Sequence, residues 1–139
     1  SNSLLEAVVY AQRTATHLLD TEPRATSAEL PAWRADGLRP VEEHGALAHD
    51  LTSLRETMGR EVGIMHRNTR LARAQRRLDL LAAEVDDTWR RCRPTKDLVE
   101  LRNMVQVAML VVKDASNQRE NRGLHYNADL TDAARESAP

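Results

Sequence analysis

Phenylalanine is absent from this 139-residue chain, and aromatic residues of every kind make up only 3% of it. A sheet-based fold relies on aromatic and β-branched residues to cover its pleated faces. Their scarcity beside abundant Ala, Leu, Val, Arg and Glu therefore favours an all-α architecture. The single cysteine, Cys92, excludes an internal disulfide and a cysteine-based metal cluster, and it fits a reducing cytoplasm. No apolar run approaches the ~18 residues of a membrane span, and no basic start leads into an apolar stretch of the secretory kind. The chain is expected to be soluble and cytoplasmic, with no membrane partner. Charge of one sign is missing too: 20 Lys and Arg against 21 Asp and Glu leave a formal net charge of -1. That balance lacks the positive field of a dedicated nucleic-acid binder, so nucleic acid is not an expected partner. Glycine-rich phosphate loops, the Gly-x-Ser-x-Gly elbow and the His-Glu-x-x-His zinc signature do not occur. The histidines, His17, His44, His49, His66 and His125, stand at no convincing ligand spacing, so no metal site is expected. No residue of this chain is assigned a catalytic role.

What the sequence does contain is helical periodicity. Ser3-Leu4-Leu5-Glu6 forms a capping box that starts a helix running to about Asp20, with Leu4, Val8, Ala11, Ala15 and Leu18 on one face and Leu5 and Val9 beside them. Its first half is apolar around most of its circumference, which predicts burial in a larger body supplied by polypeptide upstream of Ser1. Residues 21–46 carry Pro23, Pro31, Pro40, Gly37 and Gly45 among polar residues and are expected to form a linker loop, anchored by the ring of Trp33. From Leu47, the residues Leu51, Leu54 and Met58 define a short amphipathic helix interrupted near Gly59 and Gly63. A longer helix from about Arg67 to Arg91 carries the seam Leu71, Ala74, Leu78, Leu81 and Val85, continued by Trp89 or Cys92, and Pro94 stops it. Thr95 caps the next helix, where Leu98, Leu101, Val105, Ala108, Val112 and Ala115 repeat the same three-four spacing. Facing seams of this period pack as an antiparallel three-helix bundle of spectrin-repeat type, with the shorter helix as the third wall. The expected organisation is a terminal helix over 1–20, a linker over 21–46, the bundle domain over 47–118 and a C-terminal tail over 119–139, with Gly123 as a helix stop.

Three stretches bear on function. Arg67, Arg70, Arg73, Arg76 and Arg77 are a phosphate-binding candidate, but Asp79, Glu84, Asp86 and Asp87 follow and no aromatic residues interleave, so a solvated helix face is the better reading. Cys92 lies at the end of a seam and is read as a structural thiol. Ser1-Asn2-Ser3-Leu4 places small polar side chains and backbone N–H groups at a helix start, which suits an electron-rich ligand group; on local physics alone an ordinary capped helix is the better reading. Arg119-Glu120-Asn121-Arg122-Gly123-Leu124-His125 concentrates charge, a glycine and a histidine where the bundle has ended.

Taken in order, these segments resemble the L-aspartate oxidase branch of the succinate dehydrogenase and fumarate reductase flavoprotein family. Ser1 to Glu6 is similar to the family's flavin-contacting turn. Met58-Gly59-Arg60-Glu61-Val62-Gly63-Ile64, the run from Arg70 to Leu78, and Glu100-Leu101-Arg102-Asn103 are similar to its helical domain. Arg119 to His125, continuing into Tyr126 and Asp129, resembles the Arg-x-Glu-Ser-Arg-Gly-x-His signature near the end of these proteins. Gly59 stands where many relatives carry Trp, and Asn121 replaces the usual Ser. The resemblance implies a parent enzyme that binds FAD non-covalently and oxidises L-aspartate to iminoaspartate, with electrons passing to O2 or fumarate, in the first step of de novo NAD synthesis. It implies that the FAD-binding and substrate-capping domains, with the catalytic residues, lie upstream, and it names quinolinate synthase as a further candidate partner. In that frame Ser3, through its hydroxyl and amide, and the Leu4 amide contact the isoalloxazine ring, with Ser1 as a third contact. Arg122 and His125 would tie the tail back to the flavin domain.

Overall fold

A computed structural model describes residues 2–22 and 29–130. Its residues divide into two units that meet between Arg34 and Ala35. The first holds α1, Ser3–Asp20; the second holds α2, His44–Glu61, α3, Asn68–Arg91, and α4, Lys96–Asn117. Helices α2, α3 and α4 pack on one another, with the most extensive contact between α3 and α4. The fold is the all-α bundle that the periodicity predicts.

The seams are as the spacing requires. Leu71, Ala74, Leu78, Leu81 and Val85 of α3 and Leu98, Leu101, Val105, Ala108, Val112 and Ala115 of α4 are all buried. Pro94 ends the first of these helices, and the short link from Cys92 to Thr95 leaves α4 no course but back along α3. The Thr95 hydroxyl then accepts from the Leu98 amide at 3.3 Å, capping α4 as expected. Helix α2 closes the third side with Leu47 and Leu54, with Leu51 and Met58 packed against the core.

Several local details differ from the sequence reading. Helix α2 begins at His44, within the stretch expected to be linker, because Gly45 and Ala46 are tolerated in a first turn. It also continues through Gly59 to Glu61. A side chain at Gly59 would meet open space, whereas a Cβ on Gly63 would lie 2.8 Å from the Gly59 carbonyl oxygen. Gly63 is thus the residue that the turn out of α2 requires. Upstream, Arg39 is tied to the end of α3: its amide donates to the Arg91 carbonyl at 2.9 Å, and its carbonyl accepts from the Arg93 amide at 2.8 Å. Val41 is buried beside it. These bonds take up a carbonyl from the last turn of α3 that has no partner within the helix.

In the first unit, α1 starts at Ser3 and the Glu6 amide donates to the Asn2 carbonyl at 2.8 Å. That bond occupies the donor on which the expected Ser3 capping box depends, since the helix begins one residue earlier than that motif needs. No residue of α1 is buried, and Leu4 is 82% exposed. Trp33 is 66% exposed, so no anchoring contact for its ring is found among the described residues.

Core packing sets the first prediction. Leu101 is fully buried, so Leu101→Ala is expected to lower the unfolding free energy by about 2–5 kcal/mol in urea denaturation. Val107→Ala, at a position 59% exposed on the outer side of the same helix, is expected to change it by less than about 0.5 kcal/mol. Equal effects from the two would mean that α4 does not present this face to the core.

Candidate functional site

The ligand site expected at the start of α1 is built from backbone. Asn2 precedes the helix and its side chain makes no capping bond to it. The first-turn amides, Leu4 among them, have no acceptor within the helix and point along its axis, where the helix dipole favours negative charge. Ser3 and Leu4 occupy the first two helical positions, one residue further into the helix than the capping box places them; Ser1 lies outside the described residues. Glu6 adds a carboxylate to the same turn.

The second cluster gathers where α3 begins, and its two central members, Asn68 and Asn127, were not singled out in the sequence. The Arg119–His125 stretch does not extend a helix, because α4 has ended at Asn117. Gly123, with φ at +60°, sits in a tight turn in which the His125 amide donates to the Arg122 carbonyl at 3.1 Å. Glycine is needed there for its left-handed backbone and not as a helix stop. After the turn the chain runs alongside the α2–α3 link. The His66 amide donates to the Tyr126 carbonyl at 2.8 Å, and the Ala128 amide donates to the His66 carbonyl at 3.1 Å.

Asn127 is the centre of this clasp and is only 2% exposed. Its Nδ2 donates to Asn68 Oδ1 at 2.8 Å, and its Oδ1 accepts from the Asp129 amide at 3.1 Å. Asn121 brackets its backbone: Oδ1 accepts from the Asn127 amide at 2.7 Å while Nδ2 donates to the Asn127 carbonyl at 3.1 Å. A side-chain amide can accept and donate at once at that reach, which gives a physical use to the Asn found where the family signature has Ser. Asp129 completes the clasp by accepting from the Asn68 amide at 2.7 Å and from Arg67 Nη1 at 2.8 Å. It caps α3 from sixty-odd residues away in sequence, which no local capping pattern reveals.

His125 does not face outward. Its ring packs on that of His66, with centroids 5.0 Å apart and planes tilted by 55°. Burial, and secondarily the proximity of His66, holds the His125 pKa below its ordinary value of 6.5, opposed by Asp114. The basic stretch of α3 is also less free than a solvated face would be. Arg70, Arg73 and Arg77 place guanidinium nitrogens 3.6, 3.5 and 3.9 Å from the carboxylate of Glu61, which is 7% exposed at the end of α2. With the arginines a third to a half exposed, these pairs contribute modestly to stability, but they fix how α2 ends against α3. Cys92 is half-buried beside Arg39 at the other end of α3.

An all-α bundle whose last helix is followed by a folded-back clasp defines a helical module, and comparison with known proteins says which kind. The chain belongs to the family described as fumarate reductase flavoprotein C-term, whose model matches residues 51–137. Over 133 residues it is 42% identical to the L-aspartate oxidase of Pseudomonas aeruginosa, covering 95% of this chain and 25% of that protein. It is 41% identical over 140 residues to the L-aspartate oxidase of Vibrio cholerae, covering 100% of this chain and 26% of that protein. The chloroplastic L-aspartate oxidase of Arabidopsis thaliana is 31% identical over 146 residues. The chain thus spans about a quarter of the length of the bacterial relatives it matches.

The clasp generates the second prediction. Asp129→Ala removes both the α3 cap and the Arg67 pair, and it should cost about 1–2 kcal/mol in urea denaturation, most of it from the cap. Faster amide exchange should appear at Asn68 and Ala128. A variant with unchanged exchange at both amides would show that Asp129 does not hold this end of α3.

Proposed function

We propose that this chain is the C-terminal helical module of an FAD-dependent L-aspartate oxidase, an enzyme that converts L-aspartate to iminoaspartate and passes the electrons to O2 or fumarate at the entry to NAD synthesis. The observation that carries this reading is that the similarity to L-aspartate oxidases runs through α1 as well as the bundle, with 100% of the chain covered in the Vibrio cholerae match. The unburied apolar surface of α1 supports it. Leu4, Leu5, Val8 and Val9 are all exposed, which is the pattern of a helix made to lie inside a larger body.

In this reading residues 1–20 belong to the flavin-binding domain, 21–46 link it to the bundle over 47–118, and 119–139 form the tail. The bound flavin would supply hydride acceptance. The amides of Ser3 and Leu4 and the Ser3 hydroxyl, with Ser1, would contact the electron-rich edge of the isoalloxazine ring, and the α1 dipole would stabilise negative charge collecting there. The uncapped start of α1 fits that role. Substrate-binding and proton-transfer groups would come from the FAD-binding and capping domains. The partners of the whole protein would be L-aspartate and the electron acceptor, with quinolinate synthase receiving the product. The bundle contributes no reacting group in this assignment. A cytoplasmic location suits this chemistry, and among the described residues no helix is long and apolar enough to cross a membrane.

The reading is tested by replacing the matching quarter of the Pseudomonas aeruginosa enzyme with this chain. The chimera is expected to purify yellow and to produce hydrogen peroxide with L-aspartate; a colourless or inactive chimera would mean that this module does not complete an L-aspartate oxidase flavin domain. Within the chimera, Leu4→Pro removes one first-turn amide that has no acceptor within the helix, so no intrahelical hydrogen bond is lost. It is expected to slow aspartate oxidation by roughly ten- to a hundredfold while the bundle remains folded. Full activity in that variant would remove Leu4 from the flavin site.

A further inference from the structure

The clasp at the start of α3 encloses two imidazoles whose inner nitrogens have no partner. His66 Nδ1 and His125 Nε2 are both buried, and neither meets a hydrogen-bonding group. The rings lie 5.0 Å apart, close enough that like charges on them would repel, and neither inner nitrogen has an acceptor in place for an added N–H. The backbone of the same two segments is joined by the His66–Tyr126 and Ala128–His66 hydrogen bonds, so a change in the rings acts directly on the clasp. The charged groups around His125 are His66 from the α2–α3 link, Asp114 from α4, Arg122 across the turn, and the Arg67–Asp129 pair beside the clasp. Only Asp114 favours the protonated ring, and burial with His66 outweighs it.

We propose that the His66–His125 pair is a pH-sensitive latch: proton uptake at His125 releases residues 121–128 from the start of α3 and removes the Asp129 cap with them. A proton fits this pair better than a metal ion. Two imidazole nitrogens supply half of a tetrahedral site, and among the described residues no group of three His, Cys, Asp or Glu is placed to complete one.

The sign follows from linkage. The closed latch holds His125 below the 6.5 of a free histidine, so the opened segment binds the proton more tightly. Closure is at full strength above about pH 6.5. It weakens as pH falls below that value and levels off once His125 is protonated in the closed state too. Across that interval the opening constant rises by up to about tenfold per pH unit.

Amide hydrogen exchange on the full 139-residue chain between pH 8 and 5, corrected for intrinsic exchange, reads this directly. Protection at His66 and Ala128 is expected to fall below pH 6.5 while that at Leu101 and Val105 in α4 is retained, and the pH response at the two clasp amides is expected to vanish in His125→Gln. The latch is refuted by pH-invariant protection at those amides, or by the same response in the variant. Should His125→Gln loosen the clasp at every pH, an NMR titration of the His125 ring in the unsubstituted chain decides the matter. A midpoint below 6.5 supports the latch, and one at or above 6.5 overturns it. None of these measurements depends on the flavoenzyme assignment.

Discussion

Two seams of alternating three- and four-residue spacing, carried on helices of 24 and 22 residues, have to face each other for either to leave water. The link between those helices is too short for any arrangement except a return along the same line, so the α3–α4 pairing follows from connectivity and hydrophobicity together. Each fully buried Leu or Val on it contributes about 1.5–3 kcal/mol before chain entropy is subtracted. Everything else in the second unit is placed relative to this pair. Helix α2 covers the open groove between them, and both connections to the rest of the chain are made at the two ends of α3.

Those two ends are finished in the same manner. At one, Arg39 exchanges backbone bonds with Arg91 and Arg93; at the other, His66 exchanges them with Tyr126 and Ala128. In both cases a segment distant in sequence meets backbone groups that helix geometry leaves without partners, which would cost free energy if enclosed unpaired. The start of α3 carries more, because a buried asparagine, a capping aspartate and two histidines converge there. A polar cluster of that kind holds one geometry when all its groups are satisfied. The two bare imidazole nitrogens are the members that break this completeness, and that is why the clasp responds to protons while the seam does not.

In the proposed oxidase this module lies beside a flavin domain, and the exposed apolar surface of α1 agrees with that proposal. The division of labour is physical. Backbone amides at the start of a helix can stabilise developing charge with little rearrangement, since they are fixed before the charge appears. The bundle, by contrast, offers packing and a folded tail. His125, expected from the resemblance to reach toward the flavin domain, turns inward onto His66, while Arg122 lies exposed on the turn that presents it.

Helix identity, the two long seams, the Pro94 stop and the Thr95 cap were all legible in the amino-acid sequence, because each depends on residues within a turn or two of one another. The helical start at Ser3 and Leu4 was legible for the same reason. What the linear order could not show was the long-range polar wiring. Asp129 caps a helix from a distant segment, Asn121 clasps Asn127, Glu61 gathers three arginines from another helix, and His66 finds His125. Those partners are chosen by which surfaces the packed helices bring together, and a hydrogen bond or an ion pair leaves no periodic trace along the chain. Hydrophobic spacing is a local property and survives as pattern; polar complementarity exists only between surfaces, and tertiary structure alone decides it.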